Sequence, residues 1–288
     1  EFEEIKMAKI EPITGKYIWV PFEGEEYRIF FEEAGDGIPM VCLHTAGTDS
    51  REWRHQLCDP AINKNFRVIA IDIPRHGKSI PPYNYYKENE EYKLTAKFYS
   101  GIVMAFCKEL GLDRPVIMGS SMGGNICLHL AEKYADQVSS LIAIEACEHS
   151  PGWHIDYLRH SHIHGGETAA TSVFGLMAPQ SPDKYRWETW WYYAQGGPGI
   201  FKGDLYFYSK DHDFRGKTEK LSGDVPIYYM TGVYDFACTP EMTEDTANKT
   251  KNSECIIMEE IGHFPMSENP ELFNSYLYPV LDKIMAQR

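Results

Sequence analysis

Three observations predict an α/β fold for this 288-residue chain, with a mostly parallel, eight-stranded sheet flanked by helices and interrupted by a helical insertion. Short, almost wholly apolar runs recur along the chain, and segments of helical periodicity alternate with them. One stretch, residues 148–215, breaks that alternation with helical spacing and many aromatics but no buried-strand signature.

Taken in order, KYIWVPFE (16–23) and EEYRIFFEEAG (25–35) read as two strands turned at Gly24, an antiparallel start. MVCLHT (40–45), RVIAIDI (67–73) and PVIMGS (115–120) lack the polar alternation of a half-exposed strand and suit strands buried on both faces. Residues 92–112 carry Leu94, Phe98, Ile102, Ala105, Phe106 and Leu110 at helical spacing and stop at Gly111. A second helix is expected over 125–135 and the next strand over 138–146. After the insertion, a strand at 225–232, a helix near 240–249, a strand at 254–261 and a helix over 270–285 resume the alternation. On this reading 1–147 and 216–288 form the core, and 148–215 a helical cap over the sheet's carboxyl edge, where open α/β sheets bind ligands.

Composition narrows the partners. The hydrophobic share of 43% and aromatic share of 14% argue for a folded, soluble protein, and no apolar run is long enough to span a bilayer. A net charge of −14, with both signs interspersed, disfavours nucleic acid and membrane and favours a neutral or apolar small molecule. A homodimer is compatible with these numbers. Seven cysteines, an odd count with no C-x-x-C pair, suggest buried thiols in a reducing, cytoplasmic setting. The first residues, EFEEIKMAKIEP, lack the basic and apolar regions of a signal peptide; residues 1–6 read either as native or as an extension ahead of Met7.

The chemistry centres on GSSMG (119–123), which fits G-x-S-x-G between a strand and a helix. A sharp strand-to-helix turn crowds the chain two residues to either side, so glycine is needed at 119 and 123 and Ser121 is the candidate nucleophile. A hydroxyl nucleophile needs a base, and the base an orienting carboxylate. Asp235, in TGVYDFACTP (231–240), and His263, in GHFPMSENP (262–270), each follow a buried run and lie on the edge that carries Ser121. Glu145, at the end of the strand after the nucleophile helix, is the alternative acid.

With LHTAG (43–47) and IDIPRHGKS (71–79), these motifs occur in an order that resembles the α/β-hydrolase superfamily over nearly the whole chain. The resemblance implies an α/β-hydrolase fold, Ser121 as nucleophile, His263 as base and then acid, and Asp235 as its orienting carboxylate. It also implies an oxyanion hole from the backbone N–H of Met122 and one from the His44–Gly47 loop. That donor is Ala46 or, because HT stands where relatives carry H-G, Thr45. Arg75 stands where glycine is common and is expected to be structural.

The expected activity is hydrolysis of a small-to-medium apolar or aromatic carboxylic ester through an acyl-enzyme, with no cofactor and no metal. A lactonase, a thioesterase or a carbon–carbon bond hydrolase would use the same residues, though the last usually has tryptophan where Phe264 stands. A non-catalytic ligand-binding member of the fold is the reading of a different class. His44, Trp187, Trp191 and Phe264 are candidate pocket residues, although the aromatic run 187–193 could equally form the insertion's own core. His160, His162 and His164 alternate at a spacing that suits a polar loop better than a metal site. Cys238, beside the acid loop, is a packing residue that a thiol reagent could reach.

Overall fold

The computed structural model describes residues 8–80, 91–158 and 165–288. The strands are β1 (Thr14–Phe22), β2 (Glu25–Ala34), β3 (Ile38–Leu43), β4 (Phe66–Ile71), β5 (Val116–Ser120), β6 (Ser140–Ile144), β7 (Ile227–Gly232) and β8 (Ser253–Met258). The longer helices are α1 (Ala96–Glu109), α2 (Met122–Lys133), α3 (Gly165–Phe174), α4 (Asp183–Ala194), α5 (Ile200–Tyr206), α6 (Pro240–Lys249) and α7 (Pro270–Ala286). One sheet has the order β1-β2-β4-β3-β5-β6-β7-β8. Pairings β1–β2 and β2–β4 are antiparallel, and the pairings from β4 through β8 are parallel.

The β1–β2 turn has positive φ at both central residues, Glu23 (49°) and Gly24 (85°), a geometry whose twist matches that of the flanking strands. In the parallel strands, alternate residues enter opposite layers. Val41, Leu43, Ile69, Ile71 and Ile117 pack with Ile102 and Val103 of α1 and Ile126 and Leu130 of α2. Met40, Cys42, Val68, Ala70 and Met118 pack with Phe273, Leu277 and Val280 of α7. Burial on both faces explains why these strands read as unbroken apolar runs.

Element ends differ from the sequence reading for local reasons. Helix α1 starts at Ala96 because the Thr95 side chain accepts the Phe98 N–H, so Leu94 precedes the helix. Helix α2 begins directly after Ser121, three residues earlier than expected. Arg75 has a φ of +84°, the conformation that favours glycine at that position. Between β6 and β7 lie a short turn at Asp156–Leu158, helices α3, α4 and α5, and a wound segment at Phe207–Asp211. His160, His162 and His164 lie outside the described residues.

The end of this insertion is tied to α2 by a buried histidine pair. His212 Nε2–H donates to the Cys147 carbonyl (2.7 Å), so its Nδ1 accepts from His129 Nε2–H (3.1 Å) and both rings are neutral. Burial, with the neighbouring imidazole behind it, pushes His129 down to about 2, and burial pushes His212 down to about 4. The unfolded chain therefore takes up protons first, and the pair's stabilisation is lost as pH falls from the ordinary histidine value toward these folded values. Urea unfolding midpoints are expected to fall between about pH 6.5 and about pH 4, with a shallower fall in His129→Phe.

Candidate active site

The turn from β5 into α2 is closed by steric necessity. Ser121 has φ 56° and ψ −113°, and its N–H donates to Ile144 O (2.8 Å). A Cβ on Gly119 would lie 2.0 Å from the Gly123 carbonyl oxygen, and one on Gly123 would lie 2.5 Å from Leu43 O. Although Ser121 occupies the cap position of α2, its hydroxyl caps nothing there. It faces His263 Nε2 instead, at 2.8 Å.

His263 and Asp235 arrive on the loops after β8 and β7. His263 Nδ1–H donates to Asp235 Oδ2 (2.7 Å), which leaves Nε2 free to accept from the Ser121 hydroxyl. Asp235 Oδ1 accepts the Ala237 and Cys238 N–H groups (2.7 and 3.2 Å). Burial works to raise this carboxyl, but His263 and the hydrogen bonds outweigh it and hold it below the ordinary range. All three residues are buried, with Ser121 and His263 each 4% exposed. Glu145, the alternative acid, lies within 4.8 Å of both Asp235 and His263, but its Oε1 accepts the Gly232 N–H (2.9 Å). His263 Nδ1 is bonded to Asp235 and not to Glu145.

The loop after β3 is held from several directions. Glu52 accepts both the N–H and the hydroxyl of Thr45 (2.9 and 2.8 Å), and Tyr193 of α4 also bonds the Thr45 hydroxyl. The Thr45 amide is thus consumed, which removes it as an alternative oxyanion donor. Asp204 of α5 accepts the Gly47 N–H (2.7 Å), His76 Nε2–H (2.7 Å) and the Tyr92 hydroxyl (3.0 Å). Burial opposes charge on His76, yet Asp204 raises it, and both its ring nitrogens face oxygen acceptors as an imidazolium requires. Ala46 lies between these two anchored amides, beside Ser121 on the wall of the cavity. The Met122 N–H lies in the first turn of α2, where no intrahelical acceptor exists.

Above Ser121 is a cavity walled by apolar groups from the insertion and the core, including Trp153, Leu158, Leu176, Tyr193, Phe201 and Phe264. Among its described lining residues none is lysine, arginine, aspartate or glutamate. Three pocket expectations need correcting. Trp187 and Trp191 are 56% and 57% exposed on the outer face of α4, with Trp187 against Phe174 and Trp190; the same helix turns Tyr193 inward. His44 is fully buried behind the loop, its Nδ1–H on Thr45 O (2.8 Å) and its Nε2 accepting the Ile73 N–H (3.3 Å). Cys238 is likewise sealed from solvent, and burial drives its thiol far from ionisation, so a reagent does not reach it.

Sequence reasoning missed three groups that support the site, Glu52, Asp204 and Glu268; Tyr193 belonged to the aromatic run read as a possible pocket lining, but its bond to Thr45 was not foreseen. Glu268 accepts the Gly262 and Ala178 amides and the Ser181 hydroxyl, joining the histidine loop to the insertion; burial raises it to about 7.

A family model for the alpha/beta hydrolase fold matches residues 38–161. The chain is 30% identical over 135 residues to a 2-hydroxy-6-oxononadienedioate/2-hydroxy-6-oxononatrienedioate hydrolase from Burkholderia vietnamiensis, covering 46% of this chain and 44% of that protein. The match thus spans less than half the length of that relative. A thermophilic esterase from Thermogutta terrifontis superposes with a TM-score of 0.78 at 21% identity, over 93% of this chain and 99% of that one. An enol-lactonase from Burkholderia xenovorans does so with a TM-score of 0.77 at 19% identity, over 93% and 100%. By sheet order, the turn at Ser121 and the match to solved structures, the chain has the α/β-hydrolase fold.

Proposed function

We propose that the protein is a serine hydrolase that cleaves a neutral, apolar carboxylic ester through an acyl-enzyme. The observation that carries this reading is the chain Ser121 Oγ–His263 Nε2, 2.8 Å, and His263 Nδ1–Asp235 Oδ2, 2.7 Å, at the floor of an apolar cavity. His263 takes the Ser121 proton as Oγ attacks the ester carbonyl, and Asp235 stabilises the imidazolium that forms. The amides of Met122 and Ala46 receive the developing oxyanion. Collapse of the tetrahedral intermediate expels the alcohol, to which His263 returns the proton. Water then repeats the sequence on the acyl-enzyme and frees the acid.

A second reading, cleavage of a carbon–carbon bond in an oxo-dienedioate, is favoured by the likeness to the Burkholderia vietnamiensis hydrolase. The wall chemistry weighs against it, because no lysine or arginine is among the described lining residues and burying a dianion without one carries a large desolvation cost. The test is a paired assay with p-nitrophenyl esters of increasing acyl length and a 2-hydroxy-6-oxo-dienedioate. Ester turnover with a length optimum, and no dienedioate cleavage, is expected. Dienedioate cleavage without ester turnover would overturn the proposal.

A further inference from the structure

Glu145 has no part in the steps above, yet it lies against the reacting chain. It follows β6 with a φ of +49°, and its N–H donates to Met230 O (2.9 Å). Its side chain is fully buried; Oε1 takes the Gly232 N–H, while Oε2 has no partner of ordinary hydrogen-bond geometry among the described residues. One oxygen of Glu145, one of Asp235 and one ring nitrogen of His263 lie within 4.8 Å of one another.

Two carboxyl groups this close in a dry site cannot both be anions. Asp235 receives three N–H donors, from His263, Ala237 and Cys238, whereas Glu145 receives one. The charge therefore belongs on Asp235 and the proton on Glu145. The other titratable groups nearby do not change this assignment. Glu268, on the turn Pro265–Glu268, would add a further negative charge, and the thiols of Cys147 and Cys238 flank Asp235 without supplying a cation. Burial first, then Asp235, raises Glu145 well above the ordinary carboxyl value.

We propose that Glu145 is a positioning residue of the site: it is protonated on Oε2 and presents that proton to the Asp235 carboxylate, so that the Ser121–His263–Asp235 chain ends in an acid–carboxylate pair. The proton fixes the carboxylate's rotation and spreads its charge, which keeps Asp235 aimed at Nδ1 while moderating its pull on the imidazole. The proposal rests on the serine hydrolase reading for its effect on rate, though not for the protonation itself.

Two variants separate the roles. Glu145→Gln keeps a donor toward Asp235 and an acceptor for Gly232, whereas Glu145→Leu removes both. Infrared difference spectra of wild type minus Glu145→Gln at neutral pH are expected to contain a carboxylic-acid carbonyl band, and this readout needs neither turnover nor the leucine variant. In p-nitrophenyl ester assays Glu145→Gln is expected to rescue activity, with the acid limb of its kcat/KM profile unmoved. Glu145→Leu is expected to lose about tenfold to a hundredfold in kcat with little change in KM. Absence of the band overturns the proposal. So does an acid limb displaced to lower pH in Glu145→Gln, the sign of an anion removed from beside His263, or full activity in Glu145→Leu. If wild type neither turns over esters nor takes a fluorophosphonate, the hydrolase reading fails, and the band still decides the state of Glu145.

Discussion

Ser121→Ala is expected to lower kcat/KM for the best p-nitrophenyl ester by about 10⁴-fold or more, with the melting temperature essentially unchanged. Among the described residues the hydroxyl makes one hydrogen bond, to His263, and the strained backbone at φ 56° is no worse for alanine than for serine. His263→Ala should fall by a comparable factor, and the double variant should be scarcely worse than either, because the two residues act as a unit. Intact-mass measurement after fluorophosphonate treatment checks the assignment directly. A single adduct that maps to Ser121 and vanishes in Ser121→Ala is expected. An adduct elsewhere, or ester turnover that survives the substitution, would refute the nucleophile.

The second large effect is on folding. Gly119→Ala would place a methyl 2.0 Å from the Gly123 carbonyl oxygen, a backbone atom that cannot rotate away, in a turn where even a Cβ on Gly123 would lie 2.5 Å from Leu43 O. Separating β5 from α2 to relieve the contact would disturb both core layers, so a loss on the order of 3 kcal/mol is expected together with loss of activity. Gly111→Ala is the informative control. Gly111 also has positive φ, +69°, but nothing lies within 4 Å of its would-be Cβ. Its cost should be confined to the backbone term, about 1–2 kcal/mol, with activity retained. Urea unfolding of the two variants separates crowding from backbone conformation; equal losses would mean that crowding is not what closes the turn.

These crowded contacts also explain what could be read in advance. A strand that turns at once into a helix must have small residues on either side of the exposed one, so Gly119, Ser121 and Gly123 identify the turn from sequence. Asp235 and His263 were legible because each follows a strand of the parallel set, and parallel strands bring their carboxyl ends to one edge. The supports were not legible, because they come from positions with no fixed spacing to what they hold. Nothing in IFKGDLY marks Asp204 as the acceptor for an amide 157 residues earlier in the chain. The aromatic run failed for a different reason. Aromatics occur on every side of α4, so periodicity could not tell inward Tyr193 from outward Trp187 and Trp191.

The bonds from Asp204 to Gly47 and from Tyr193 to Thr45 join the roof of the cavity to the loop beside Ser121. This limits how specificity could be redesigned or could drift by recombination. A transplanted roof without an acid at position 204 would leave a buried His76 without its counter-ion and the Gly47 amide without an acceptor. One without a hydroxyl at position 193 would loosen Thr45. A swap intended only to reshape the acyl pocket would therefore slow the chemistry as well. For this chain the tractable route to a new substrate is to change single wall residues such as Leu158, Leu176 or Phe201 and leave the roof's attachments to that loop in place.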